Sequence, residues 1–262
     1  MRVCNLGSGS DGNLTYIETM CAKVLLDAGL SASEIKKRLA LLNVQPEEIN
    51  AILITHEHSD HIKGIDVFAS KYNCKIYVHN KGYDALRAKL KKADVLNFVL
   101  FDDLDFNIND LTVSNFKLPH DSAYCCGYSF LEKTKKVSIL TDLGYTTKEV
   151  LSKIMGSTLV YLEANHDEQM LMDNPHYPMQ LKHRILGRNG HLSDISAGEV
   201  IKQLAMGGTK QIMLSHLSTE NNTPSLAYNT ICSYLKQFGI EEGINIKIAT
   251  TSVNPSFIFK ID

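Results

Sequence analysis

No apolar run in the 262 residues reaches the roughly 18 that a membrane-spanning helix requires, so insertion into a bilayer is not expected. After Met1-Arg2 the chain enters an expected strand rather than a long apolar signal region, so export is not expected either. Surplus positive charge is also missing. Lys plus Arg number 27 against 29 Asp plus Glu, and a formal charge of −2 offers polyanions no general attraction. Any contact with nucleic acid must then come from a local patch or from bound cations. Cysteine occurs at 4, 21, 74, 125, 126 and 232 with no C-x-x-C pair, and the two adjacent thiols would strain a disulfide. A reduced, cytoplasmic setting is expected. Internal repeats, low-complexity segments and linkers rich in Pro or Ser are absent, while 44% hydrophobic and 21% charged residues are ordinary globular usage. Residues 1–262 are therefore expected to form a single domain.

What the sequence does have is Ile52-Leu53-Ile54-Thr55-His56-Glu57-His58-Ser59-Asp60-His61. An apolar run that leads straight into histidines and carboxylates is the pattern of a buried strand delivering metal ligands to a loop at its end. His56 and His58, two apart on extended backbone, project to one side and can grip one cation. Asp60 and His61, a step further on, can face a second. So dense a set of donors after a β run argues against a loop that merely happens to be rich in His.

Thr55-His56-Glu57-His58-Ser59-Asp60-His61 resembles the metal-binding signature of the metallo-β-lactamase superfamily. The resemblance extends to Leu25-Leu26-Asp27-Ala28-Gly29, Pro119-His120-Asp121, Leu140-Thr141-Asp142, Leu162 to Asp167 and Leu214 to Ser218. Gly7-Ser8-Gly9-Ser10-Asp11-Gly12-Asn13, and His216-Leu217-Ser218 followed by Glu220-Asn221-Asn222-Thr223-Pro224, are similar to the YycJ/WalJ group of bacterial metallo-hydrolases. The resemblance implies an α/β fold, the αββα sandwich, with two mixed β-sheets packed face to face and helices outside. It implies two divalent metal ions, Zn, Mn or Fe. His56, His58 and His120 would hold one, Asp60, His61 and His216 the other, and Asp142 would bridge them. Asp27 would brace the histidine loop from behind by hydrogen bonds, with Asp121 and His166 in similar supporting places. A metal-bridging hydroxide would be the nucleophile, oriented by Asp60.

The stretch Arg184-Ile185-Leu186-Gly187-Arg188-Asn189-Gly190-His191-Leu192-Ser193, with the helix expected from Ser193 to Leu204, is similar to the last third of the tRNA 3′-processing nucleases. By that resemblance Glu163 and His191 protonate the leaving oxygen; the alternative is that His191 merely caps the helix. The stretch between Asp142 and His216 is too short for the large inserted domain of the β-CASP nucleases.

Other local signals fill in the frame. Ser31 with Glu34 forms a capping box for a helix that buries Ile35, Leu39 and Leu42. Asn80 begins a helix whose Lys81, Arg87, Lys89, Lys91 and Lys92 could approach a phosphate backbone or simply face water. The Gly7–Asn13 loop, with Ser8, Ser10 and Asn13 as candidate substrate contacts, either binds phosphate through free backbone N–H groups or only turns a hairpin. Thr223 and Pro224 start a helix that leaves Asn221 and Asn222 in a loop beside the metals. Ile244 to Ala249 and Phe257 to Ile261 are expected to finish the second sheet. Cys125 and Cys126 interrupt the family pattern and are expected to pack in the core. His79, His176 and His183 match no motif.

The subgroup resemblance implies a 5′-to-3′ exodeoxyribonuclease, with DNA as the partner. Alternatives are an RNA-processing nuclease, a small-molecule hydrolase acting on a thioester or cyclic phosphodiester, and a metal-retaining binding module without turnover. Metal identity, end polarity and oligomeric state are open at this stage.

Overall fold

A computed structural model describes residues 1–252, 254–256 and 258–261. The strands are β1 Arg2–Gly7, β2 Leu14–Glu18, β3 Lys23–Leu26, β4 Ala51–Leu53, β5 Lys75–His79, β6 Phe98–Phe101, β7 Phe106–Ile108, β8 Leu111–Leu118, β9 Cys125–Glu132, β10 Lys135–Leu140, β11 Leu159–Glu163, β12 Gln211–Ser215, β13 Lys247–Thr250 and β14 Phe259–Lys260. The α-helices are α1 Ala32–Leu41, α2 Ser59–Ile62, α3 Ile65–Tyr72, α4 Tyr83–Lys89, α5 Lys148–Ile154, α6 Glu168–Asp173, α7 Met179–Leu186, α8 Asp194–Met206 and α9 Pro224–Lys236.

Among the described residues these strands make two seven-stranded sheets, ordered β14-β1-β2-β3-β4-β5-β6 and β13-β12-β11-β10-β9-β8-β7. Each is mixed in the same way. The pairs among β14, β1, β2 and β3 are antiparallel and those from β3 to β6 parallel, while the pairs from β7 to β10 are antiparallel and those from β10 to β13 parallel. This is the αββα sandwich that the motifs imply.

The central strands read as continuous apolar runs because both of their faces are covered. Within β3, Val24 and Leu26 point between the sheets, where they meet Tyr128, Phe130, Val137 and Tyr161 of the facing sheet. Leu25 points outward to join Ile35 and Leu39 of α1 and Phe68 of α3. The second sheet repeats the device, with Leu162 and Leu214 packed on Val200 and Leu204 of α8 and Ile231 of α9. Two helix-to-sheet cores therefore flank one sheet-to-sheet core.

Helix ends follow the local chemistry. The Ser31 hydroxyl accepts from Glu34 N, but the Glu34 carboxylate turns to Arg38 instead of closing the box, and Leu42 ends as the half-buried cap residue. Thr223 caps α9 with Pro224 in the first turn. Ser193, not His191, caps α8 by accepting from Ser196 N, which removes the purely structural role considered for His191.

One expectation fails. The final strand β14 pairs with β1 in the first sheet, Arg2 opposite Lys260 and Val3 opposite Phe259, rather than finishing the second. Without it β1 would present an open edge, a liability that covering strands remove. Phe257, included in that expected strand, lies outside the described residues, and Ile244 precedes the strand β13 that does close the second sheet.

Candidate metal centre

The centre lies where the two sheets present adjacent strand ends. His56, His58, Asp60 and His61 follow β4, whereas His120, Asp142 and His216 follow β8, β10 and β12. Donor atoms of His56, His58 and His120 all fall within 4.8 Å of one another, as do those of Asp60, His61 and His216. Asp142 reaches both groups. Its Oδ2 is 3.1 Å from His61 Nε2, and its Oδ1 is 3.8 Å from His120 Nε2 and 3.5 Å from His216 Nε2.

Among the described residues, His56 Nε2 and His216 Nε2 are buried and without a hydrogen-bond partner. Buried polar atoms are ordinarily satisfied, so converging orphans of this kind fit divalent cations. Charge agrees. Burial and its histidine neighbours hold His56 well below the ordinary histidine range, which keeps the imidazole neutral as a ligand must be. Burial would raise the Asp142 carboxyl, but His216 and His61 overcome it and hold the group ionised.

Behind the donors lies a hydrogen-bonded brace. Asp27 Oδ1 accepts from the Thr55 backbone N–H at 2.8 Å and from its hydroxyl at 3.0 Å, while Oδ2 is 2.8 Å from His61 Nδ1. Thr55 Oγ1 also sits 3.0 Å from both His56 Nδ1 and His61 Nδ1. Thr55 was missed in the sequence, although its place at the head of the histidine motif was a signal. Gly29 permits a close approach on the same side, since a Cβ there would stand 1.6 Å from the Asp60 carbonyl oxygen.

Three of the strand ends hold non-glycine residues in left-handed backbone, Asp27 at φ +60°, Asp142 at +62° and His216 at +55°. Such conformations cost roughly 1–2 kcal/mol each and gather at sites that must aim a side chain.

Glu163 and His191 meet at one side. Glu163 Oε1 is 2.8 Å from His191 Nδ1 and 2.7 Å from His216 Nδ1, and Oε2 accepts from Leu143 N and Leu192 N. Burial favours the neutral acid, but His191 and His216 outweigh it and hold Glu163 down at about 2. His191 is raised above its usual range, with burial opposing and Glu163 prevailing.

The supporting residues divide. Asp121 stands 3.4 Å from His120 Nε2 and also pairs with Arg184. His166 is buried, but neither ring nitrogen finds a partner among the described residues, and burial drives it down to about 4. The expected bracing bond is not made.

Of the expected substrate contacts, Ser10 is exposed at the cleft and Asn221 lines it, although Asn221 Oδ1 accepts from Asn174 Nδ2. The other three turn inward. Ser8 Oγ accepts from His216 N at 2.7 Å, and Asn222 Nδ2 donates to Ala164 O and Asp194. Asn13 Oδ1 accepts from Gly9 N, and its Nδ2 donates to Asp60 Oδ2 at 3.2 Å. These three position the site from inside, and the Gly7–Asn13 loop is the β1–β2 hairpin connection. Cys125 and Cys126 are buried, with Cys125 Sγ 3.8 Å from His56 Nδ1. His79 is a packing residue against Asp103 and Tyr124.

A sequence profile for the β-lactamase superfamily domain matches residues 22–217. The chain is 38% identical over 250 residues to exodeoxyribonuclease WalJ of Streptococcus pneumoniae, covering 94% of this chain and 93% of that protein. It is 35% identical over 246 residues to exodeoxyribonuclease YycJ of Bacillus anthracis, covering 92% of each. Among solved structures, the metallo-β-lactamase fold protein YhfI of Bacillus subtilis superposes at a TM-score of 0.74 over 99% of this chain and 100% of that one; at 14% identity the likeness is one of fold. The fold, the converging donors and these matches together make the chain a member of the metallo-β-lactamase superfamily and, within it, of the family of WalJ and YycJ.

Proposed function

We propose that this protein is a cytoplasmic, single-domain 5′-to-3′ exodeoxyribonuclease that works with two divalent metal ions. The observation that carries the proposal is its 38% identity, over 94% of the chain, to a protein named for that class of activity. In this reading His56, His58 and His120 would hold one ion, Asp60, His61 and His216 would hold the other, and Asp142 would serve both. Zn, Mn and Fe all suit such a nitrogen and oxygen set. When bound, the ions supply the positive charge that lowers the pKa of a water toward neutrality and stabilises the phosphoryl oxygens.

The chain's own residues do the rest. Asp60, steadied by the Asn13 amide, orients the attacking water for in-line displacement. Glu163 fixes the His191 ring through Nδ1, which leaves the other ring nitrogen to deliver a proton to the leaving oxygen in the cleft. The raised affinity of His191 for its proton suits that task. Ser10 is a contact for substrate at the rim.

The test is digestion of 5′- and 3′-end-labelled DNA and RNA strands with Mn or Zn supplied, beside Asp60→Ala. Metal-dependent release of short products from the 5′ end of DNA, absent in the variant, supports the proposal. Hydrolysis of a thioester or cyclic phosphodiester, with every strand left intact, would replace it by the small-molecule alternative.

A further inference from the structure

The cleft over the metal centre divides into two arms that share His58, Asp60 and Arg184. One, about 220 Å³, runs under α7 and is walled by Tyr177, Leu181 and Ile185. The other, about 600 Å³, passes over α2 to the end of α4 and is bordered by Lys63 and Lys89. Arg184 stands at the junction, held by Asp121.

The two arms differ in chemistry. Lys63 and Lys89 are exposed, and neither ammonium makes an ion pair or hydrogen bond among the described residues, unlike Lys23, Lys81 and Lys202. Two of the three acids of that arm accept hydrogen bonds from backbone N–H groups, and the third is Asp60 of the metal centre. Glu57 accepts from Ala123 N at 2.9 Å, and Asp66 accepts from the backbone N–H groups of Lys91 and Lys92, both at 2.9 Å. The first arm offers an aromatic ring and two aliphatic side chains, which suit the face of any base without reading its edges.

We propose that the strand enters with its terminal nucleoside against Tyr177, Leu181 and Ile185 and its following phosphates along Lys63 and Lys89, with Arg184 beside the phosphate between the arms. This rests on the exodeoxyribonuclease function and adds to it a path. Lys63 and Lys89 act on substrates long enough to reach them. The carboxylates of Glu57, Asp60 and Asp66 match the charges of Lys63, Lys89 and Arg184 in this arm, so the attraction for a polyanion rests on the two free ammonium groups and not on a net positive patch.

The test compares wild type with Lys63→Ala/Lys89→Ala on a labelled 20-nucleotide DNA strand and on a dinucleotide, across a salt series. The double variant is expected to lose roughly tenfold more kcat/KM on the strand than on the dinucleotide, mostly through KM. Its slope of log(kcat/KM) against log salt should flatten by about 1 to 2, one phosphate per lysine. Tyr177→Ala should raise KM on both substrates, and Tyr177→Phe should restore it. Equal losses on strand and dinucleotide, or an unchanged salt slope in a variant that folds, would overturn the path. Wild type that degrades strands while the variants match it defeats this inference alone. Wild type inert on every strand defeats the nuclease function beneath it as well.

Discussion

Replacing Asp27 by Asn should leave the fold standing and loosen the metal centre. Asn, like Asp, tolerates the left-handed backbone found at this position, φ +60°. The Thr55 N–H can only donate, so it fixes which way the new amide faces, and Asn Oδ1 keeps the bonds that Asp27 Oδ1 makes at 2.8 and 3.0 Å. What changes is the atom that meets His61 Nδ1. The carboxylate holds the ring proton on Nδ1 and makes Nε2, which lies 3.0 Å from the Asn13 amide nitrogen, 3.1 Å from Asp142 and 3.3 Å from Asp60, the nitrogen that presents its lone pair to a cation. An amide NH₂ in that place asks Nδ1 to accept, sends the proton to Nε2 and removes the lone pair. Losing such a partner costs about 10- to 100-fold in metal affinity, or about 1.4–2.7 kcal/mol. Folding should lose less, roughly 1 kcal/mol, because one hydrogen bond is exchanged for a weaker one. Calorimetric titration of the metal-stripped proteins with Zn and Mn, beside thermal unfolding, separates the two quantities. Unchanged affinity for both ions in a folded Asp27→Asn would refute the tautomer argument.

Three further outcomes are expected. Asp142→Ala should lose both ions together, and metal analysis that finds full occupancy would sink its assignment as the shared ligand. Gly29→Ala puts a Cβ 1.6 Å from the Asp60 carbonyl oxygen and 2.5 Å from Asn13 N, so it should destabilise by about 1–3 kcal/mol or more and lower metal content; a variant with wild-type melting and loading contradicts this. Asp194, buried in the first turn of α8, is pushed up to about 6 by burial, against the pull of the Asn222 hydrogen bond. Its folded pKa lies above the unfolded value, so its contribution to stability is full below about pH 4 and lost as pH rises through 6, at most roughly 3 kcal/mol by neutrality. Asp194→Asn should therefore outlast wild type in urea at pH 7.5 and match it near pH 4, and equal midpoints at both pH values would count against the reasoning.

The donor residues were legible because strand-end chemistry is local. Each apolar run stops at a His or Asp, and the backbone that carries the strand also aims the side chain. Leu25 and Ile52 likewise announced strands buried on both faces. Orientation beyond the motif was harder. Ser8, Asn13 and Asn222 have the composition of rim residues, yet partners distant in sequence, His216, Asp60 and Asp194, draw their side chains inward. The sheet joined by β14 depends on pairing across almost the whole chain, which no local pattern encodes. Tyr177 precedes α7 with no motif of its own, Arg184 opens the stretch that leads to His191 without a role there, and only the folded cleft brings the two together beside the centre.

The division of donors between the sheets makes ion affinity a gauge of how the two halves of the sandwich are aligned. His56, His58, Asp60 and His61 travel with one sheet and His120, Asp142 and His216 with the other, so neither half alone can assemble either donor set. A change away from the centre, such as trimming Phe130 where the sheets touch, is expected to let one slab slide on the other and spread the donors apart. Bound ions would in turn act as rivets at one end of the seam, and removing them should free that end to breathe before the helix-covered faces come loose.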